Sequence, residues 1–271
     1  MSEQPSLDLS RLRVLPLADR ESLTRVEDIL IPLGAALPAC STEALAAITD
    51  CGRKIRVARE KGASVMLIYG AHLLRNGAAL LIERLLGDGW ITHLATNGAG
   101  TIHDWEYAWL GRSTESVESN VAAGTFGTWD ETGRYIHLAL LAGALRGEGY
   151  GEALGRFICE DGTVLPTAEE LTDLLCKEPA HPQAPARAEL LVAMQRHGIE
   201  AGRHHVAHAW KHASILAAAF RHNVPFTVHP GIGYDIISNH PMFNGAAIGR
   251  AAETDFRKFG AAVDRLDGGV V

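Results

Sequence analysis

The stretch Trp90–Asp104 constrains this chain most. An apolar run, Ile91–Ala95, leads into Thr96-Asn97-Gly98-Ala99-Gly100 and then Thr101-Ile102-His103-Asp104. It reads as a short strand, a small-residue loop and the start of a helix. Doubly wound sheets build nucleotide sites at such turns. Glycines let a ligand approach the backbone, and the free N–H groups of a helix's first turn point at it. A bare Gly-x-Gly also closes ordinary strand-to-helix turns, but polar His103 and Asp104 follow at once, where a plain turn would not need them. They form the best candidate acid–base pair. Imidazole titrates near neutrality, and a carboxylate can hold its tautomer.

The flanking pattern alternates helix and strand. Residues 42–61 suit a helix capped by Ser41 or Thr42, with Ala44, Leu45, Ile48 and Ile55 as its apolar stripe. Val65–Tyr69 fits a buried parallel strand, and His72–Leu86 a helix stopped by Gly87-Asp88-Gly89. Further helices are expected over Ile102–Leu110, Glu131–Leu145, Leu165–Lys177, Ala186–His197, His204–His222 and Ala246–Leu266. Thr167 with Glu170 makes a capping box in the third of these. Pro225–His229 returns as a strand, and Gly268–Val271 resembles a strand just beginning. The expected class is α/β, one unit over 1–271, with an irregular arm over 1–40 and a mainly helical insertion over 112–205.

Composition narrows the function. The 271 residues carry net charge -7 with no basic block, which argues against nucleic acid as the main partner. Apolar runs are broken well short of a bilayer span, and Met1–Arg20 lacks the apolar core of a signal peptide. A cytoplasmic setting is expected, with Cys40, Cys51, Cys159 and Cys176 reduced and mostly buried.

Several segments together resemble the deoxyhypusine synthase family. Leu67–Gly77 is similar to that family's Gly-Tyr-Thr-Ser-Asn-Leu-Ile-Ser-Ser-Gly start, and Leu94–Asp104 to its strand ending in Thr-Thr-Ala-Gly-Gly. Ser214–Asp235 resembles its helix, Pro-Val-Phe-Ser-Pro strand and Thr-Asp-Gly-Ser loop; Asp267–Val271 resembles its Gly-Gly-Gly-Val-Val strand. The likeness covers most of 60–110 and 210–271 and is weak over 112–205. It implies a Rossmann-like parallel sheet flanked by helices, NAD as cofactor, and a homotetramer with sites between subunits. In the family NAD accepts a hydride from spermidine, and an aminobutyl group passes through a lysine imine. The resemblance places NAD on Gly70, His72, Thr96, Asn97, Gly98, Ala99 and Gly100, with the loop holding Gly231 and Gly233 closing over it.

The departures point away from classical deoxyhypusine synthesis. His103 stands where the family has glutamate, His72 where it has asparagine, and Ala71 replaces a serine. The family's catalytic lysine lies past the Gly-Gly-Gly-Val-Val strand, where this sequence stops. Lys211 is the interior candidate for a Schiff base, but it reads as a solvated helix lysine.

Other residues add candidates. His229 and Asp235 flank a predicted strand end, where open sheets face their ligands. His240 precedes Pro241. Glu106 and Trp129 belong to an aromatic and acidic stretch that could embrace an ammonium substrate, whereas Trp109 reads as helix packing against Trp105. His204, His208 and His212 share a face if their segment is helical, but no His-Glu-x-x-His pattern accompanies them, so no metal is assigned. The reading is an NAD-dependent transferase or oxidoreductase acting on an amine or another small molecule. The alternative is a ligand-binding homologue that keeps the fold and oligomer without lysine chemistry.

Overall fold

A computed structural model describes residues 6–271. The chain opens with β1 (Thr24–Arg25), α1 (Val26–Ile29) and α2 (Thr42–Glu60). Then come β2 (Met66–Tyr69), α3 (Ala71–Arg75), α4 (Ala79–Gly87), β3 (His93–Asn97) and α5 (Gly98–Leu110). The middle holds β4 (Arg112–Ser113), α6 (Val117–Ala123), α7 (Asp130–Ala144), α8 (Tyr150–Cys159), β5 (Gly162–Leu165), α9 (Ala168–Lys177) and α10 (Ala184–His197). It closes with β6 (Gly202–His205), α11 (Ile215–Arg221), β7 (Phe226–His229) and α12 (Gly245–Val263).

The fold is α/β: a parallel sheet ordered β2-β3-β7, flanked by helices. Register pairs Tyr69 with Thr96 and Asn97 with His229, so the carboxyl ends of all three strands open on one edge. Met66, Leu94, Ala95, Phe226 and Val228 are buried, which explains the apolar runs that marked these strands. Val270 bridges Val65 in parallel on the free side of β2, as the closing Gly-Gly-Val-Val suggested. On the free side of β7 the buried Asp255 carboxylate accepts the Val228 N–H at 2.8 Å and the Gly151 N–H at 3.1 Å. One side chain thereby satisfies an unpaired strand donor and the first turn of α8.

Residues 112–205 hold α6 to α10 with three short strands. α7 and α8 share their core with α5 and α11. From Ile136 to Ala144 α7 is buried on every side, as a central helix must be. The sequence reading passed over α8 and the antiparallel pair β5–β6. The packing of α8 rests on bare backbone: a Cβ on Gly151 would sit 2.0 Å from the Phe226 carbonyl oxygen.

Three expectations are corrected. His72–Leu86 is two helices, α3 and α4. Gly77 between them has φ +79°, and a Cβ there would lie 1.8 Å from the Ile29 carbonyl oxygen. His204–His222 is not one helix but β6, a loop, a single 3₁₀ turn and α11, because Gly202–His205 pairs with β5 and the Ser214 side chain caps α11. Cys40, Cys51 and Cys176 are exposed; Cys159 is half-buried. Among the described residues no helix is long and apolar enough to cross a membrane.

Candidate functional site

α5 is the spine of the site. Asn97 caps it, its side chain accepting the Gly100 N–H at 3.0 Å. The expected loop is therefore already helix: Gly98, Ala99 and Gly100 are its first turn. Gly100 is required by packing, since a Cβ there would lie 2.1 Å from Thr96 Oγ1, which donates to the Tyr69 carbonyl at 2.7 Å. At Gly98 a Cβ would lie 2.1 Å from Asp235 Oδ2, an oxygen that also accepts the Gly231 N–H at 2.8 Å.

A cavity of about 270 Å³ lies along this helix, lined by Ala99, His103 and Glu106 of α5, by Arg20, Arg75 and Glu115, and by Tyr234 and Asp235. Its floor is a closed polar chain. Arg20 holds Glu106 with two bonds of 2.9 and 2.7 Å, and Thr132 donates to the same carboxylate at 2.9 Å. The Ser113 hydroxyl donates to Glu106 Oε2, and His103 Nδ1 lies 2.7 Å from Ser113 Oγ. A carboxylate paired bidentately with arginine is an acceptor only, so it consumes the Ser113 proton. His103 must then donate Nδ1–H to Ser113, which leaves its Nε2 as a bare lone pair. Burial pushes the His103 pKa down; Glu106 pulls it up, and Arg75 and Arg20 push it further down. The imidazole is neutral at pH 7, the state a base requires.

The other walls carry charge. Arg75 has no ion-pair partner among the described residues, and its Nε is buried without a hydrogen bond. Glu115 accepts from Trp129 Nε1 at 3.0 Å, from Asn120 at 2.7 Å and from the Gly127 N–H at 3.1 Å. Trp129 is thus a wall element; the Arg20 guanidinium lies 5.6 Å from its ring centroid. Glu106, expected to meet substrate, is spent inside the protein.

His103 and Asp104 do not form a pair. Asp104 is buried on another face of α5, where it accepts from Ser214 Oγ and from the N–H groups of Ile215 at 2.8 Å and Leu216 at 3.2 Å. It caps α11 from outside, and burial raises its pKa to about 7. His240 is also structural. Its Nδ1 accepts the Met242 N–H at 3.0 Å and its Nε2 faces Asp130 at 3.2 Å.

A second hollow, of about 580 Å³, opens at the strand ends beside Gly70, Thr96, Asn97 and His229, against Ile68, Phe256 and Phe259. There Thr227 Oγ1 lies 3.0 Å from His93 Nε2 and 3.1 Å from His229 Nε2, bridging a buried and an exposed imidazole. Gly233 and His72 are exposed and line neither cavity.

NAD would need its pyrophosphate on the first turn of α5. The Asp235 carboxylate lies over that turn, against Gly98. A ligand phosphate on this turn would have to displace the Asp235 side chain.

The histidine row is dispersed. His204 bonds the Glu200 carbonyl at 2.7 Å, His208 is enclosed by Trp105 and Phe157, and His212 is exposed. Among the described residues no group of three or more His, Cys, Asp or Glu side chains could hold a metal ion. Lys211 Nζ bonds Asp161 at 2.6 Å and the Cys159 carbonyl at 3.1 Å; it lies in a 3₁₀ turn and not in a helix, and its side chain is partly exposed, as a solvated lysine would be. Trp105 and Trp109 stack at 5.3 Å, as the packing reading held.

No family model and no curated protein matches this chain. Among solved structures it is similar to ArgZ, an arginine dihydrolase from the ornithine-ammonia cycle in cyanobacteria. Identity is 11%, the overlap covers 85% of this chain and 23% of that one, and the TM-score is 0.38. AgrE, solved with ornithine and NAD+, matches at 14% identity over 86% of this chain and 24% of its own, TM-score 0.37. A conserved putative LOR/SDH protein from Methanococcus maripaludis S2 matches at 13% over 75% and 45%, TM-score 0.30. The chain spans about a quarter of the length of the first two.

Proposed function

We propose that the cavity along α5 binds a small zwitterion, bearing both an ammonium and a carboxylate, and that the chain is an enzyme whose His103 takes a proton from it. The observation that carries this is the orientation of His103. Glu106 acts through Ser113 to leave Nε2 unprotonated at a cavity wall. Arg75 offers an unpaired cation for the carboxylate, and Glu115 and Asp235 offer anions for the ammonium. A substrate proton passes to Nε2, and the imidazolium so formed keeps donating Nδ1–H to Ser113 Oγ, whose own O–H keeps donating to Glu106. NAD, the cofactor implied by resemblance, stays outside this reading while Asp235 covers the first turn of α5.

One observation favours a second reading, a binding protein without turnover: among the described residues no lysine lines this cavity or the strand-end hollow. Two measurements decide. L-ornithine and putrescine, which share ammonium groups but not a carboxylate, are titrated calorimetrically. Ornithine is expected to bind, and Arg75→Ala to weaken it about tenfold, the loss of ~1.4 kcal/mol. Equal binding of both molecules, indifferent to Arg75→Ala, overturns the zwitterion site. Exchange of the ornithine α-proton in D₂O is then followed by NMR. Exchange that is lost in His103→Gln supports the enzyme; binding without exchange leaves the second reading.

A further inference from the structure

Thr114 holds a backbone conformation that its residue type disfavours. Among the described residues three that are not glycine have positive φ: Thr114 at +69°, Asp161 at +52° and Asn223 at +53°. Aspartate and asparagine enter the left-handed region readily, because a short polar side chain can bond locally. A β-branched residue there is an outlier, and the strain costs stability that glycine would not lose.

The outlier lies at the site. Thr114 is buried, lines the cavity along α5, and stands between Ser113, which orients His103, and Glu115 of the cavity wall. Its carbonyl accepts the Leu23 N–H at 2.8 Å, which holds the turn in place. Glycine would serve the turn alone, so the strain is kept for the side chain. The bond from Thr24 Oγ1 to Thr114 Oγ1, at 3.0 Å, is not the reason. Thr24 also donates to the Ser113 carbonyl at 2.9 Å, so its proton has an acceptor without Thr114.

The hydroxyl has a proton to spare. Tyr107 Oη lies 2.7 Å from Thr24 Oγ1 and, with the Thr24 proton already committed, is the donor of that pair. The chain therefore runs from Tyr107 through Thr24 to Thr114, whose own O–H finds no acceptor among the described residues. A hydroxyl that already accepts a hydrogen bond is polarised as a donor. The β-branched side chain has few rotamers, so this donor is fixed before a ligand arrives.

We propose that Thr114 is a substrate-binding residue of the α5 cavity, its O–H donating to the carboxylate of the bound zwitterion. Arg75, on the same cavity, supplies the charge, and Thr114 supplies the direction. The inference rests on the zwitterion reading of this cavity and adds the group that sets how the carboxylate lies.

Calorimetric titration of L-ornithine into the native chain, Thr114→Val, Thr114→Ser and Thr114→Gly tests it, with urea unfolding of each. Valine keeps the shape and loses the hydroxyl, so affinity is expected to fall about tenfold, and serine to recover most of that loss. Glycine removes hydroxyl and strain together. It is expected to bind about tenfold more weakly while withstanding urea as well as the native chain or better, a split that a merely structural residue would not give. Ornithine binding that Arg75→Ala weakens but Thr114→Val and Thr114→Gly leave unchanged overturns this inference alone. Weaker binding that only follows lost stability across the variants overturns it as well. A native chain that binds no ornithine overturns the zwitterion site and this inference with it.

Discussion

His103 reaches Glu106 through a single hydroxyl. Ser113 Oγ accepts the Nδ1–H of the imidazole and donates its own O–H to the carboxylate, so the state of Nε2 is set by a residue three positions along the same helix. Glu106 is in turn fixed by Arg20, a residue 86 positions away in the N-terminal arm.

This predicts a tautomer. Long-range nitrogen–proton NMR at pH 7 is expected to find His103 protonated on Nδ1. Ser113→Ala removes the bridge and leaves a buried carboxylate oxygen short of a donor, a loss of about 1–3 kcal/mol in stability. Ser113→Thr keeps the hydroxyl and is expected to restore the Nδ1–H signal. A native His103 protonated on Nε2 alone would remove the base from the site.

The two glycines at the start of α5 are expected to behave differently although their steric distances agree. Gly100→Ala drives a methyl group into Thr96, which β3 and the Tyr69 carbonyl hold in place. Overpacking of this kind costs roughly 1–3 kcal/mol or more. Gly98→Ala meets only the end of Asp235, on the loop after β7, and the loop can retreat. Denaturant titration should find Gly100→Ala the more destabilised. The reverse order would mean that Asp235 is fixed as firmly as the sheet.

The contrast also explains what the sequence made legible. Strands β2, β3 and β7 were readable as continuous apolar runs, although Ile68 of β2 is exposed; α5 was readable from Ile102 on, but its first turn was taken for a loop because glycines suit both. Asp104 was readable as an acid beside a candidate site but not as the cap of α11, since Ser214 is 110 residues away. Gly77 read as a helical position because its constraint, the Ile29 carbonyl, comes from outside its own segment. The histidine row failed for a related reason. Its spacing suits a helix, but pairing of Gly202–His205 with β5 decides that segment, and pairing is not written in either strand alone. Ser113 was a missed site residue, as were Arg20, Arg75 and Glu115. The role of Ser113 arises from the return of β4 beside α5, for which the sequence carries only Gly111 as a stop.

His208 supplies a pH-dependent prediction. It is buried beside Trp105 and Phe157, neither ring nitrogen has a hydrogen bond, and burial lowers its pKa from 6.5 to about 4. The unfolded chain therefore binds this proton first, and the contribution of His208 to stability is lost as pH falls from 6.5 toward 4. Asp104 and Asp255, both raised from 3.8 to about 7, act oppositely: their contributions are full below 3.8 and lost as pH rises through 7. The difference between native protein and His208→Leu isolates the histidine. At pH 5 that difference should favour the variant by about 2 kcal/mol more than at pH 7.5, from ~1.5 units of suppressed protonation. A difference independent of pH would mean that His208 finds a proton partner in the folded state.

Asp235 carries the last prediction. Its carboxylate lies over the first turn of α5, a 13-residue helix whose N-terminal N–H groups attract anions. It already supplies that negative charge, tethered through the Gly231 N–H, so a free anion must displace it. Asp235→Ala removes the competitor and leaves the helix cap at Asn97 intact. Inorganic phosphate is expected to shift the amide signals of Gly98 and Ala99 in the variant at concentrations about tenfold below those needed for the native chain, the effect of ~1.4 kcal/mol of relieved repulsion. NAD titrated into the same variant tests whether the strand-end hollow and the freed helix turn act as one site. Binding in Asp235→Ala alone would place the dinucleotide where the sequence resemblance implied and make the 231–235 loop what excludes it. If phosphate binds both proteins equally, the carboxylate is a turn anchor, and the anion site expected on this helix does not exist.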